Sequence, residues 1–411
     1  MYVAEPNHTG AIAPVSAVHQ IIILLGIPEE LRSVIMNVLD RMEAIGADKK
    51  IADFRVKQQL PYEFKVAYAE TRVNEFIREC GKRDLNVHVS VGGLDSITLF
   101  LFIKKLGYSV PAVSVSSLED KSIQAIHKKL GIISLKPLKS KVDVIKEFGF
   151  PILSKEIANK ISLLQRPSDD NKTVRHAIIT GETGSYGGNR SNTRMKLSQC
   201  WLELFGGYEN ENESVNYLKP DFLVSDKCCY YLKEKPCDDW AKKNNSVPFL
   251  GLMASEGGRR AKSLMINGCN YFGASTIRSA PFAIFSRQDL LQLALDLNVP
   301  VPEVYGTIER DSSGILYTTK AQRTGCSMCG FGIQKETIRP HRFDLLYQSN
   351  PKEWEFWMYK VGFGNVFDYI GFLWRQPYQY GEKSWLSKKV MSNIIEQRHS
   401  VLDNQYSFFT L

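Results

Sequence analysis

The chain has 411 residues and a net charge of +8, from 52 Lys and Arg against 44 Asp and Glu. With 44% hydrophobic and 23% charged residues it has the composition of a globular protein, which excludes a disordered or collagen-like chain. The length suits two or three domains, and the mild basicity permits a polyanionic partner without demanding one.

The opening Met1-Tyr2-Val3-Ala4-Glu5-Pro6 lacks the basic-then-apolar pattern of a secretory signal. The longest apolar runs, Ile21–Ile27 and Ile97–Ile103, are too short to span a bilayer. A cytoplasmic protein with no membrane partner is the expectation. In that reducing setting, clustered cysteines read as metal ligands or redox groups rather than as a disulfide framework.

Residues 1–14 read as a loose tail. Leu31, Val34, Ile35, Val38, Leu39, Met42 and Ile45 recur at helical spacing and predict a helix over 28–48. A second is predicted from Tyr62 to Cys80, so 1–84 is read as a helical N-terminal region. From Leu85 strands and helices alternate. Strand Val87–Val91 precedes helix Ser96–Leu106. Strand Ala112–Val115 precedes helix Lys121–Leu130. Strand Ile132–Leu135 leads to helix Lys141–Phe148, and Ala177–Thr180 is read as a further strand. This alternation predicts an α/β domain over 85–280, a parallel sheet with helices on both faces. Residues 200–216, rich in Glu and Asn, read as a surface loop. Residues 281–411 read as a C-terminal, mostly helical region, with helices at Arg287–Leu297, Arg342–Ser349 and Pro351–Tyr359. The aromatic residues of 343–378 suit a packed subdomain; base stacking is the sharper alternative.

Two constellations carry chemistry. The first is the turn Gly92-Gly93-Leu94-Asp95-Ser96 after a strand. Two glycines let the backbone turn sharply and present amides to an anion, and the helix that follows adds its positive end. Ser96 can donate to phosphate; Asp95 suits a helix cap or a magnesium ion. An ordinary strand-to-helix turn would look the same. The second is Cys228-Cys229 with Cys326-Ser327-Met328-Cys329. Thiolates suit zinc or iron–sulfur clusters. Adjacent cysteines point apart in regular structure, which is awkward for one zinc ion and easier for the separated corners of a cubane. Zinc, free thiols or a disulfide remain open on this pattern alone.

The glycine turn resembles the Ser-Gly-Gly-x-Asp-Ser loop of N-type ATP pyrophosphatases, in the phosphoadenosine-phosphosulfate reductase-like superfamily. The resemblance runs over roughly 85–375. Ala112-Val113-Ser114-Val115 is similar to the strand whose backbone reads adenine. Leu135-Lys136-Pro137 resembles the family's Lys-Pro, and Gly149–Glu156 resembles the segment after the next helix. Gly251–Glu256 with Arg260 resembles the Glu-Ser-x-x-Arg signature; a solvated charge in the run Arg259, Arg260, Lys262 is the plainer reading of Arg260. Departures are Val91 for the loop's first Ser (Ser90 is adjacent), Leu94 for a common Lys, Ser116 for an acidic residue and Gly257 for Ser. The cysteine set resembles the one holding a 4Fe–4S cluster in adenylylsulfate reductases and in the sulfur-insertion subunits of DNA phosphorothioation, with Lys233 near the cluster.

The resemblance implies an adenine nucleotide alpha hydrolase-like fold. It implies ATP or a sulfonucleotide held by Ser90, Gly92, Gly93, Asp95, Ser96, Val115, Lys136, Glu256 and Arg260, with Asp95, Ser96, Lys136 and Arg260 catalytic. It implies a 4Fe–4S cluster on Cys228, Cys229, Cys326 and Cys329, and magnesium as a candidate ion. It points to sulfur transfer after adenylation, with DNA or RNA as candidate acceptor and a cysteine desulfurase as candidate sulfur donor; an oligomer is compatible. No cysteine follows Cys329, so the C-terminal nucleophile of sulfonucleotide reductases has no counterpart. That leaves a reductase using an external thiol, or a nucleotide-binding scaffold, as the alternatives. Cys80, Cys200, Cys237 and Cys269 read as small buried apolar residues. His88, His127 and His341 read as isolated structural groups.

Overall fold

The computed structural model describes residues 46, 48–183, 195–207 and 217–407, without the side chains of 258–260 and 401–407. Most of the helix predicted over 28–48 lies outside the described residues. The first seven of the ten strands among the described residues are, in chain order, β1 (Asn86–Ser90), β2 (Ala112–Ser114), β3 (Ile133–Ser134), β4 (Ile152–Leu153), β5 (Ser246–Leu250), β6 (Asn270–Phe272) and β7 (Ile277–Ser279). Six of them form one sheet in the order β3-β2-β1-β5-β7-β6. All neighbours pair parallel except β6, which runs antiparallel to β7. The protein is thus α/β with a mostly parallel central sheet.

β1 is covered on both faces, with His88 and Val89 buried. A polar residue survives there because it is satisfied: His88 Nδ1 lies 2.8 Å from Ser246 Oγ on β5. Burial pushes the His88 pKa down to about 4, so the ring is neutral.

Ala177–Thr180 is not a strand but the end of the helix Lys172–Thr180. A four-residue apolar run cannot separate a strand from a buried helical turn. Gly181, at φ +88°, closes that helix as a left-handed cap. The next strand of the central sheet after β3 is β5, beyond the Cys228 segment, and it pairs with β1 on the side away from β2. The loop expected at 200–216 begins as a helix, Gln199–Phe205, which buries Leu202, Leu204 and Phe205; 208–216 lie outside the described residues.

Burial does not divide at 84/85 and 280/281. One core surrounds the sheet and joins Phe76, Val89, Ile97, Phe249, Phe282 and Leu290. A second joins Ile152, Ile161, Leu202 and Phe205 to Trp354, Phe367 and Phe372. The middle of the chain thus packs with its C-terminal third, and β4 pairs with β10 (Gly330–Phe331), which follows the β8 (Ile308–Arg310) and β9 (Leu316–Thr318) hairpin. The aromatic segment is packed, with Phe343, Trp354, Phe363 and Phe367 buried; Phe356 and Tyr359 are exposed. No described helix is long and apolar enough to cross a membrane.

The helix Tyr62–Lys82 is tied to the helix Arg287–Asp296 by the buried pair Lys65 Nζ–Asp289 Oδ2, at 2.8 Å. Removing one member of a buried pair strands the other charge. Lys65→Met is expected to lower stability by about 3 kcal/mol in urea denaturation followed by circular dichroism. A loss below about 1 kcal/mol would show that the pair does not tie the two helices.

Candidate nucleotide and metal site

The chain leaves β1 towards β2 on one side, while β5 lies on the other, so the sheet order reverses at β1. Ligands of such sheets bind outside the carboxyl ends of the strands at this point. Gly92 and Gly93 stand there, and the helix Leu94–Lys105 starts at once with Gly93 as its N-cap. Gly251 follows β5 and presses on the same spot. A Cβ on it would lie 2.9 Å from Ser96 Cα and 3.0 Å from Ser96 N, so only glycine fits.

The turn is held from three sides. The Gly92 amide donates to Ser96 Oγ at 2.7 Å, and that hydroxyl donates to the Gly93 carbonyl at 3.0 Å. The Leu94 amide donates to the Tyr305 hydroxyl at 3.2 Å, which in turn is 2.8 Å from Thr324 Oγ1. The Gly92 carbonyl lies 2.8 Å from His127 Nε2, and Ser116 Oγ lies 2.9 Å from His127 Nδ1. A carbonyl only accepts, so Nε2 carries the hydrogen and Nδ1 accepts from Ser116. Burial lowers the His127 pKa and keeps the ring neutral. His127 is therefore a buttress of the turn and not an isolated core histidine.

Val91 and Leu94, the two departures in the turn, both bury their side chains. They belong to the sheet core rather than to the mouth of the turn. The carboxylate of Asp95 is taken by Arg287 Nη1 at 2.5 Å, and Arg287 Nη2 donates to the Gln322 carbonyl at 3.2 Å. This pairing makes Arg287 a competitor of a magnesium ion for the Asp95 carboxylate. Glu256 ends the short turn Ala254–Glu256 after β5, with Arg323 at 3.7 Å. Ser90 ends β1, and Val115 is buried at the end of β2. Lys136 is exposed and follows the edge strand β3, which is separated from β1 by β2. Arg260 lies on the helix Gly258–Asn267, and its side chain is outside the described residues.

Cys228 and Cys229 end a helical turn that continues as the π-helical segment Tyr230–Glu234 and then as Lys235–Lys243. Such single π turns accompany functional sites. Cys326–Cys329 form a tight turn, closed by the Cys329 amide on the Cys326 carbonyl at 3.1 Å, with Met328 left-handed at φ +51° and buried. The four thiols share one neighbourhood. Burial pushes the Cys228 thiol up to about 12; Lys141 opposes this, while Cys229, Cys326 and Cys329 add to it. Cys229 is raised by burial too, against the pull of Lys155. Burial works against the charge of Lys233, but Cys326, Glu119 and Cys229 outweigh it and its pKa is raised.

Among the described residues no three His, Cys, Asp or Glu side chains converge on a point that would hold one metal ion. A cubane asks for something else, four soft ligands at separated corners. Four thiols from two segments, ringed by Lys141, Lys155 and Lys233, match that donor chemistry and its negative charge. Lys233 also joins this centre to the glycine turn. Its ammonium lies 2.6 Å from Glu119 Oε1, which is 3.6 Å from where a Cβ on Gly92 would stand.

Sequence reasoning missed Tyr305, Thr324, Arg287 and Glu119, which reach the turn from distant segments and carry no local motif. Cys80 and Cys269 are buried as expected, whereas Cys200 is exposed and Cys237 half-buried. His88 and His341 are satisfied core groups. No protein-family model matches the chain, and no curated protein matches it at a significant level.

His127→Leu would leave the Gly92 carbonyl and the Ser116 hydroxyl without their partner, at a cost of about 1–3 kcal/mol near neutral pH. The wild type has a further acid-sensitive term. A histidine whose folded pKa is depressed contributes stability that is present above its unfolded pKa of about 6.5 and is lost as pH falls towards the folded value. The slope is at most about 1.4 kcal/mol per pH unit for each such group. Urea midpoints measured from neutral pH downwards should therefore fall less steeply in His127→Leu than in the wild type. Parallel acid limbs would show that His127 is not held neutral at the turn.

Proposed function

We propose that the chain is an ATP-pyrophosphatase-type enzyme of the phosphoadenosine-phosphosulfate reductase-like superfamily, with an adenine nucleotide alpha hydrolase-like fold and a 4Fe–4S cluster. It activates a substrate by adenylation for sulfur transfer in the cytoplasm. The observation that carries this reading is the meeting of two motifs that lie far apart in sequence: Lys233, beside Cys229 and Cys326, pairs with Glu119, and Glu119 lies next to Gly92 of the turn at the sheet's switch point. The ordered motif series and the cysteine pattern support the family.

In the first half-reaction a substrate oxygen attacks the α-phosphorus of ATP. An O–P bond forms, the bond to the β-phosphate bridge breaks, and pyrophosphate leaves. In the second, a sulfur nucleophile at the oxidation level of hydrosulfide displaces AMP from the activated substrate, and its proton passes to solvent. The chain's own part is positioning and charge neutralisation. The helix start and Ser96 face the polyphosphate, His127 holds the turn's backbone, and Arg287 and Lys233 supply positive charge around it. Cys228, Cys229, Cys326 and Cys329 would hold the cluster, which when bound supplies a soft, electron-carrying face for sulfur chemistry. DNA, RNA or a nucleotide is the proposed acceptor, with a cysteine desulfurase or another donor bringing sulfur.

A second reading, nucleotide binding without turnover, draws on one observation: the Gly92 and Leu94 amides are already bonded to the Ser96 and Tyr305 hydroxyls. Pyrophosphate release from ATP separates the two. The enzyme reading expects release above the protein-free rate in the presence of a sulfur donor and nucleic acid. Tight nucleotide binding with no release under any condition supports the scaffold. The cluster has its own test. Anaerobically purified protein is expected to contain about four iron and four sulfide per chain. Ser at any of the four cysteines is expected to lower iron content, while Cys269→Ser is not; stoichiometric zinc without iron would refute the cluster.

A further inference from the structure

We propose that Arg287, with Arg323 beside it, is the polyphosphate-binding cation of this site, and that polyphosphate binds there without magnesium. The inference rests on the nucleotide-site reading above and names the groups that make it work. A polyphosphate carries several negative charges, and amides with a helix end neutralise only part of them. Position 94 cannot add a cation, because Leu94 is buried in the sheet core and its side chain leads away from the mouth. The charge must come from another segment.

Arg287 is placed for it. It is the first residue of the helix Arg287–Asp296, whose start is fixed by Ser286 and by Asp289, itself anchored by Lys65. The guanidinium reaches Asp95 in the first turn of the loop's helix and remains about a third exposed at the mouth. Among the described residues only two of its five donors are used, on Asp95 and on the Gln322 carbonyl. Arg323, next in chain, is largely exposed and leans on Glu256. The two carboxylates follow the two strands that flank the switch point, Asp95 after β1 and Glu256 after β5. Each holds an arginine at the same crevice. A planar fork can exchange a carboxylate for a phosphate with little reorganisation, and it does so as a bidentate partner. The Asp95 carboxylate is then the resting counter-ion of Arg287 and not a metal ligand.

The test is calorimetric titration of the full chain with inorganic pyrophosphate, once in chelator and once in excess magnesium. The wild type should bind in both with affinities within about twofold. Arg287→Met should weaken binding in chelator by about tenfold or more, the loss of one charge-assisted contact, and Arg323→Met by a smaller factor. Asp95→Asn, which releases Arg287, should tighten binding several-fold in chelator. Thermal unfolding of each variant checks that it is folded, and the opposite directions of Arg287→Met and Asp95→Asn cannot both come from misfolding. Binding that requires magnesium, is lost in Asp95→Asn and survives in Arg287→Met would overturn the proposal and make Asp95 a metal ligand, leaving the nucleotide site intact. No binding of pyrophosphate or ATP by the wild type under either condition would overturn the nucleotide-site reading itself.

Discussion

The contact between Gly251 and the start of the helix Leu94–Lys105 sets the geometry on which the rest depends. β1 and β5 end level, with Val89 opposite Phe249 and Ser90 opposite Leu250. The loop after β5 then meets the helix start so closely that no side chain fits between them. This closes the crevice from below and leaves its mouth to the other segments that reach it. Tyr305, Thr324 and Arg287 arrive from beyond β7, and His127 from the helix after β2. A turn without such support would be free to relax, because glycine gives it the freedom to do so.

The same segments connect the turn to the cysteines. Gln322, Arg323 and Thr324 are consecutive, and each touches a different part of the crevice: Gln322 through Arg287, Arg323 through Glu256, Thr324 through Tyr305. Two residues later the chain is at Cys326. On the opposite side Glu119 and Lys233 link Gly92 to Cys229 and Cys326. Buried charges are costly unless paired. Lys233 is kept charged by partners on both sides, which places one cation where a polyphosphate and four thiolates would both be stabilised by it.

Much of this was legible from residues alone where the signal is local. The strand, the Gly92-Gly93 turn and the following helix are contiguous, and their period and glycine content speak directly. The two cysteine motifs could be recognised, and thiolate chemistry explains why they belong together. What was not legible depends on distant segments meeting. Ala177–Thr180 has the apolar run of a strand but ends a helix capped by Gly181. Ile152, Ile161, Leu202 and Phe205 lie between strands of the central sheet in sequence yet pack with the C-terminal aromatics. His127 carries no motif, and only the fold puts its ring between Ser116 and the Gly92 carbonyl. Leu94 stands where the resembled loop commonly has a lysine, whereas its burial shows that the helix phase points it into the core.

The central claim is that the glycine turn and the four cysteines form one site. The most direct measurement is a titration of anaerobically purified, iron-loaded protein with a non-hydrolysable ATP analogue, recording heat of binding and the visible circular dichroism of the iron centre together. One site predicts a spectral change that saturates at the same concentration as the heat, because the charge added at the turn is felt at the cysteines through Lys233. Binding with an unchanged spectrum would separate the two motifs and contradict the account.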